Sequence, residues 1–331
     1  MRDAVDDLIW DETPKEATSA VAVLDAPALV DDALTLSPDV RVFCDDWRDA
    51  QQVDPALLVE HPDDLAGVSL AIGRLPKSLG ALDEQAALIQ GAADVTYVGG
   101  ARVRHMNRSM NEVLAKHFAA VSASLGRSKS RVLRAWGPEN TETQWPKVRS
   151  HEDLGFAVAA HGATFGGTKI DPGTRLMLGV LKGGGRTGGL EAEDVLDWGS
   201  GNGTISMWLA RRGHRVKARD VSWSAVAATL VAAEVNGLDV DATWGDGLDG
   251  YDDGAFDAIV TNPAFHQGTT KDSTDTFALF DEAARVLRPG GKLWCVYNSH
   301  LPYRSELNVR LGRTQVAAQD PRYTVTVTTV A

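Results

Sequence analysis

The chain has 331 residues, is 44% apolar and carries a formal net charge of −12. That length and composition suit a globular protein of two domains, and the absence of any uncharged apolar run near about 18 residues argues against a membrane-spanning helix. Two cysteines, Cys44 and Cys295, stand in apolar contexts without a CxxC pair or a His-rich neighbour, so no metal site and no disulfide framework is indicated.

The start, Met1-Arg2-Asp3-Ala4-Val5-Asp6-Asp7, is acidic where a secretory signal would be basic and then apolar, and the expected location is cytoplasmic. The first strand is expected at Val21-Ala22-Val23-Leu24-Asp25, followed by Ala26-Pro27-Ala28-Leu29 in place of a glycine turn. Val42-Phe43-Cys44-Asp45 supplies a second strand ending in an acid, and Leu70 to Lys77 a third. After Arg108 the apolar residues Met110, Val113, Leu114, His117, Phe118, Val121 and Leu125 read as one face of a helix stopped by Gly126. His117 on that face reads as a core residue rather than a ligand.

The overall charge is unevenly spread. Residues 1–66 carry 4 basic and 17 acidic residues, whereas residues 67–150 carry 12 basic and 6 acidic. Arg102, Arg104, His105, Arg108, Lys116, Arg127, Lys129, Arg131 and Arg134 fall in the basic block. Such a block can neutralise phosphates whatever the rest of the surface does, or it is a solvated helix face with its loops. A domain boundary is expected near 140–165, where Gly137-Pro138-Glu139-Asn140 opens a loop-like segment, giving domains 1–150 and 151–331.

The second half alternates strand and helix. Val195-Leu196-Asp197-Trp198 runs into Gly199-Ser200-Gly201-Asn202-Gly203, then the helical stretch Thr204 to Arg212. Glycines at alternate positions permit turns closed to other residues and let a ligand lie on the main chain. The spacing lacks the third glycine of the dinucleotide fingerprint, where Thr204 stands, so a pyrophosphate is disfavoured. Asp197 before the glycines suits a cationic ligand such as the amino acid end of S-adenosylmethionine. Arg215 to Arg219 is a strand ending in Asp220 and Val221, where a nucleotide-binding sheet puts its ribose-gripping carboxylate; alternatively Asp220 caps the next helix. Asp246, with Gly245 and Gly247 beside it, follows the strand at Asp241–Trp244 and either accepts from an adenine amine or is an ordinary turn residue.

The strand at 255–261 ends in Asn262-Pro263-Ala264-Phe265-His266. An exocyclic amine on a base is a poor nucleophile because its lone pair is delocalised. The Asn262 side-chain carbonyl and the Pro263 main-chain carbonyl can accept its two N–H bonds and favour the pyramidal nitrogen of a methyl-transfer transition state, with Phe265 stacked on the ring. The same residues also read as a Pro-terminated strand entering a loop. A helix from Ser273 to Leu287, a fifth strand at Lys292–Tyr297, and an edge hairpin of Thr314–Ala318 and Tyr323–Val330 follow. Tyr323 to Thr328 alternates as a half-exposed strand should. The first half resembles a worn copy of this plan without its glycines or Asn-Pro pair.

At these residues the chain resembles the bacterial ribosomal RNA guanine-N2 methyltransferases of the RsmC and RlmG types. The carriers are Phe165 through Asp171-Pro172-Gly173-Thr174-Arg175-Leu176, the Val195–Gly203 loop, Asn262 through Gln267, and Asn298-Ser299-His300-Leu301-Pro302-Tyr303. Ala264 replaces a proline usual in that family. The Phe-His-Gln and His-Leu-x-Tyr details favour the large-subunit type.

The resemblance implies an α/β protein of two tandem doubly wound, Rossmann-like methyltransferase domains. Domain 1–150 is the degenerate one, binding RNA or giving support, and 151–331 is catalytic. It implies methyl transfer from S-adenosylmethionine to the N2 amine of a guanine in ribosomal RNA, without metal or membrane, by a monomer. Catalysis then falls to Asn262, Pro263 and Phe265. The cofactor falls to Asp197, Gly199, Gly201, Gly203, Asp220, Val221, Asp246 and Gly247, and the RNA to His266, Arg102, Arg104 and Arg108. The competing readings are an amino-methyltransferase acting on DNA adenine N6 or on protein glutamine, and a non-catalytic RNA-binding assembly factor. A nicotinamide oxidoreductase is disfavoured by the glycine spacing.

Overall fold

The computed structural model describes residues 2–91, 94–263 and 280–330. It divides into one unit of Met1–Trp145 with His161–Ala163, and a second of Pro146–Ala160 with Thr164–Ala331. Cys44 and Cys295 are both buried and unpaired. No helix among the described residues is long and apolar enough to cross a membrane.

The first unit is built on six strands: β1 (Val21–Leu24), β2 (Val40–Phe43), β3 (Leu70–Arg74), β4 (Thr96–Arg102), β5 (Phe118–Ala123) and β6 (Ser130–Pro138). They lie in the order β2-β1-β3-β4-β6-β5, the first four parallel and β6 antiparallel to both β4 and β5. The apolar runs Val21–Leu24 and Leu70–Ile72 are buried throughout, as a parallel sheet covered on both faces requires. The helix Ala4–Glu12 is started by a capping box between Asp3 and Asp6. Its Ile9 fills the space over Gly100, where a Cβ would come within 2.4 Å of the Ile9 side chain.

The expected helix from Arg108 to Leu125 is shorter than its apolar pattern suggests. It ends at Leu114, and Phe118–Ala123 is the edge strand of a hairpin with β6. Gly126 therefore lies in the hairpin and not at a helix end, and Leu125 is 89% exposed. In the run Phe118-Ala119-Ala120-Val121-Ser122-Ala123 pairing with β6 overrides local helix preference. His117 is buried, with Thr141 Oγ1 at Nδ1 and Asp83 Oδ1 3.1 Å from Nε2.

In the second unit β7 (Lys147–His151) and β8 (Phe156–Ala160) form a separate antiparallel pair. The main sheet comprises β9 (Asp194–Trp198), β10 (Arg215–Asp220), β11 (Asp241–Trp244), β12 (Phe256–Thr261), β13 (Leu287–Asn298), β14 (Gly312–Gln319) and β15 (Tyr323–Val330). The order is β11-β10-β9-β12-β13-β15-β14, with β9 to β13 parallel and the last hairpin antiparallel. One core packs Val195, Val260, Trp294 and Trp208 on one face; the other packs Leu196, Ile259, Leu293 and Phe280. Of the helix expected at Ser273–Leu287, residues 280–286 are described and helical, and the rest lies outside the described residues.

Strand β15 is not half-exposed as its alternation suggests. It lies between β13 and β14, so Thr324, Thr326 and Thr328 are as buried as Val325 and Val327. The buried hydroxyls find partners: Thr324 with Ser299 Oγ at 2.9 Å, Thr326 with the Cys295 carbonyl at 3.5 Å, and Thr328 with Thr314 Oγ1 at 2.9 Å. A threonine so satisfied fills an interior position as a valine would.

The two sheets share one strand order, β1 answering β9, β2 β10, β3 β12, β4 β13, and the β5–β6 hairpin the β14–β15 hairpin. Among the described residues the first sheet has no strand answering β11; an isolated parallel bridge from Val42 to Leu58 stands there.

Candidate active site

In the second unit the chain runs from β9 outward to β10 and β11, then returns to β12 on the other side of β9. This reversal places a topological switch point at the carboxyl ends of β9 and β12, where doubly wound sheets hold ligands. The glycine turn follows β9, Asp220 and Val221 end β10, Asp246 and Gly247 follow β11, and Asn262 and Pro263 follow β12. One edge of the sheet therefore gathers these candidates.

Gly199, Gly201 and Gly203 have φ of +78°, +55° and +74°, a region that L side chains rarely adopt. Among the described residues a Cβ on Gly199 or Gly201 would meet no atom within 4 Å, so the main chain presents open ground to them there. At Gly203 a Cβ would lie 3.1 Å from Thr229 Cα, and the absent side chain lets the helix Trp223–Asn236 approach. The turn is tied to β10 by Gly199 N to the Arg219 carbonyl at 2.8 Å.

Asp220 Oδ2 accepts from Gly201 N at 3.0 Å, and Oδ1 from Ser222 N at 3.0 Å. Ser222, not Asp220, caps the following helix through Ala225 N. Asp220 is instead oriented by main-chain donors at its strand end. The Val221 carbonyl accepts from Trp244 Nε1 at 2.9 Å, linking the ends of β10 and β11. Asp246 Oδ1 accepts from Gly247 N at 3.0 Å, its carbonyl accepts from Arg219, and Gly247 has φ +59°.

Asp197 lies beneath this surface. It is fully buried, Oδ2 accepts from Ser206 Oγ at 2.5 Å, and Oδ1 has no hydrogen-bond partner among the described residues. Burial pushes its carboxyl up to about 7, opposed by the Ser206 hydrogen bonds and aided by the Asp220 charge. A buried acceptor lacking a donor fits a site that a cationic ligand or its water completes. Open glycine main chain, oriented Asp220 and orphaned Asp197 together fit an amino acid nucleoside such as S-adenosylmethionine.

Asn262 stands just beyond β12, whose last residue, Thr261, is buried and bonded to the Trp198 carbonyl at 2.7 Å. Its Nδ2 donates to Asp171 Oδ2 at 3.0 Å and to Thr174 Oγ1 at 2.9 Å. A carboxylate only accepts, so the amide nitrogen faces Asp171 and the amide orientation is settled. With both N–H bonds engaged, Asn262 presents its carbonyl. Asp171 also caps the helix Pro172–Gly179 through Thr174 N at 3.0 Å. Gly173 makes room, since a Cβ there would sit 2.9 Å from Asp171 Oδ2 and 3.0 Å from the Tyr323 ring. Sequence reasoning assigned Asp171 and Thr174 no role; their Asp-x-x-Thr spacing signals a helix cap but not its distant partner. Phe265 and His266 lie outside the described residues.

The basic candidates belong to the first unit. Arg102 ends β4, donates to the Ser128 carbonyl at 3.1 Å and pairs with Asp3 at 3.6 Å. Arg104 is exposed and bonded to His105, and Arg108 is exposed with Glu112 at 3.8 Å. Asp3 and Asp6 also pair with Arg74, and Asp11 with Arg127, so the acidic amino-terminal helix offsets part of the basic block.

The fold and the family it matches define a methyltransferase of the doubly wound type. The methyltransferase small domain matches residues 155–327, and the RlmG amino-terminal domain matches residues 49–140. Ribosomal RNA small subunit methyltransferase C of Alcanivorax borkumensis is 34% identical over 325 residues, 92% of either chain. Ribosomal RNA large subunit methyltransferase G of Streptomyces coelicolor is 32% identical over 273 residues, 78% of this chain and 71% of that one. The chain belongs to this family of ribosomal RNA methyltransferases. The T. thermophilus 16S rRNA N2 methyltransferase RsmC, solved with AdoMet and guanosine, shares the fold with a TM-score of 0.78. That likeness covers all of this chain and 92% of that one at 21% identity.

Proposed function

We propose that the protein transfers a methyl group from S-adenosylmethionine to the exocyclic N2 amine of a guanine in ribosomal RNA. The observation that carries this is Asn262, whose two N–H bonds are engaged by Asp171 and Thr174, which leaves its carbonyl as the group that can accept from an amine. Bound S-adenosylmethionine supplies a methyl group on a sulfonium, which needs positioning more than acid–base help. Gly199, Gly201 and Gly203 give it open main chain, and Asp197 gives an acceptor for its ammonium or a bridging water. Asp220 and Val221 take the ribose, and Asp246 with Gly247 the adenine.

Asn262 Oδ1 and the Pro263 carbonyl accept the two N–H bonds of the guanine amine. This arrangement draws the lone pair out of the ring plane and lowers the transition state more than the planar ground state. Phe265 stacks on the guanine and His266 contacts its edge. A paired or stacked guanine must turn out to reach this edge. Residues 1–150, a methyltransferase-like unit without glycine turn or Asn-Pro pair, support the strand through Arg102, Arg104 and Arg108. The protein acts as a monomer in the cytoplasm.

Incubation with tritiated S-adenosylmethionine and deproteinised ribosomal RNA, DNA or a release factor tests the proposal. Label in N2-methylguanine of the RNA is expected; label confined to DNA or protein, or none with any substrate, would overturn it.

A further inference from the structure

Phe165 is 76% exposed, although Thr164 before it and Ile170 beyond it are buried. The segment is nevertheless firmly held. Gly166 and Gly167, with φ of +72° and +58°, turn the chain; Gly167 N donates to the Thr164 carbonyl at 3.1 Å and Lys169 N to the Gly166 carbonyl at 3.2 Å. Asn202, inside the glycine turn, donates Nδ2 to the Gly167 and Lys169 carbonyls at 2.9 and 3.0 Å. Thr164 Oγ1 donates to the Ser224 carbonyl at 3.0 Å. Two residues past Lys169 comes Asp171, which holds Asn262.

An exposed aromatic ring is thus fixed on a segment braced at one end by the cofactor turn and at the other by the amide that grips the amine. An exposed aromatic ring held on a fixed turn offers its face to a ligand at little further ordering cost. Lys169, four positions on in the same segment, is exposed and cationic. A flat π-face and a cation on one short segment match a nucleobase with its phosphate.

We infer that Phe165 is a stacking platform for a base of the RNA strand, next to the target guanine. The inference rests on the proposed RNA substrate and adds a subsite to it. When the guanine leaves its stack, the neighbouring base loses a partner, and the Phe165 ring takes that partner's place. Recognition of unstacked RNA bases on aromatic side chains follows this physics. Phe165 then works on the flanking base, as Phe265 does on the target itself.

Full-length Phe165→Ala, Phe165→Leu and Phe165→Tyr variants test this on a ribosomal RNA fragment that the natural chain methylates. Base–aromatic stacking corresponds to roughly 5- to 150-fold in affinity, so KM for the RNA should rise by that order in the Ala variant. The affinity for S-adenosylmethionine, read by calorimetry, should not move. Tyr should restore the KM, and Leu, apolar but without a π-face, should not. Independently, 5-iodouridine placed beside the target guanine should cross-link the natural chain at Phe165 on irradiation. A Leu variant as good as the natural chain, or a cross-link elsewhere, overturns the platform while leaving the methyl transfer standing. A natural chain that labels no RNA overturns both.

Discussion

Asp171 Oδ2 accepts the Asn262 amide at 3.0 Å and, with the same oxygen, caps Thr174 N at 3.0 Å. One carboxylate therefore sets both the start of a helix and the direction of the Asn262 amide, the proposed grip on the substrate. Thr174→Val removes one acceptor of the Asn262 amide and leaves the cap in place. Turnover is expected to fall on the order of tenfold, with cofactor affinity unchanged. Asp171→Ala removes both functions, costing about 1 kcal/mol of stability from the cap and roughly a hundredfold in turnover. Asp171→Asn, still able to accept and cap, should lie between the natural chain and Asp171→Ala. Thermal unfolding with single-turnover rates checks this, and equal turnover in all three variants would refute the anchoring role.

Asp220 and Asn262 divide the work differently. Asp220 is oriented by Gly201 N and Ser222 N on the side proposed for the cofactor, whereas Asn262 is the proposed acceptor of the amine. Asp220→Ala should weaken S-adenosylmethionine binding by about ten- to a hundredfold, since a charged acceptor is lost and Gly201 N loses its partner. Asn262→Ala should bind the cofactor normally and lose turnover by roughly a hundredfold or more, the scale of one transition-state hydrogen-bonding group. Calorimetry and single-turnover kinetics separate them; unchanged affinity in the Asp220 variant would count against the cofactor assignment.

The glycines of the turn differ in what confines them. Gly203→Ala combines a φ of +74° with a Cβ 3.1 Å from Thr229 Cα, and should destabilise the fold by about 2 kcal/mol or more. Gly199→Ala meets only the φ of +78°, about 1–2 kcal/mol, because its Cβ points into open ground. That open ground is where the cofactor would lie. Gly199→Ala is therefore expected to lose more in cofactor affinity than in stability, and Gly203→Ala the reverse. Chemical denaturation and calorimetry on both proteins decide the matter.

Much of this edge was legible because its signals are local. Val195 to Gly203 shows an apolar strand entering glycines, and the order of Asp220, Asp246 and Asn262 along the chain follows from alternating strands and helices. The Asp171–Asn262 bond was not legible, since 91 positions separate the partners and neither local pattern names the other. The depth of Asp197 was hidden for a related reason: strand position tells that the residue is near the turn, not that its side chain points beneath it. Phe118 to Ala123 misled by composition, continuing the apolar helical spacing yet paired as an edge strand. Thr324 to Thr328 misled by alternation, because hydroxyl groups that find buried partners occupy a core as readily as solvent.

Asp197 makes a pH prediction whose sign can be worked out. Burial raises its carboxyl from 3.8 to about 7 in the folded chain, against an unfolded value near about 4. Below pH 4 both states are protonated and its contribution to stability is fully present. Between pH 4 and 7 the unfolded chain loses the proton while the folded chain keeps it, so stability falls as pH rises, by about 1.4 kcal/mol per pH unit for one group. Asp25, in the first unit, is likewise raised to about 7 by burial and by the Asp45 charge, and acts in the same direction. Asp194, which Arg215 and Arg288 hold down at about 2, acts in the opposite direction and only at the low edge of this window, below about pH 5 where the unfolded group still binds a proton. Asp197→Asn keeps an acceptor for Ser206 and removes the ionisation. The variant should therefore gain stability over the natural chain at pH 8 and little at pH 4, and Asp25→Asn should behave alike. Urea unfolding of the ligand-free proteins across pH 4–8 measures it. Parallel curves for the natural chain and the Asp197 variant would show that the buried carboxyl is ionised in the fold with its charge compensated.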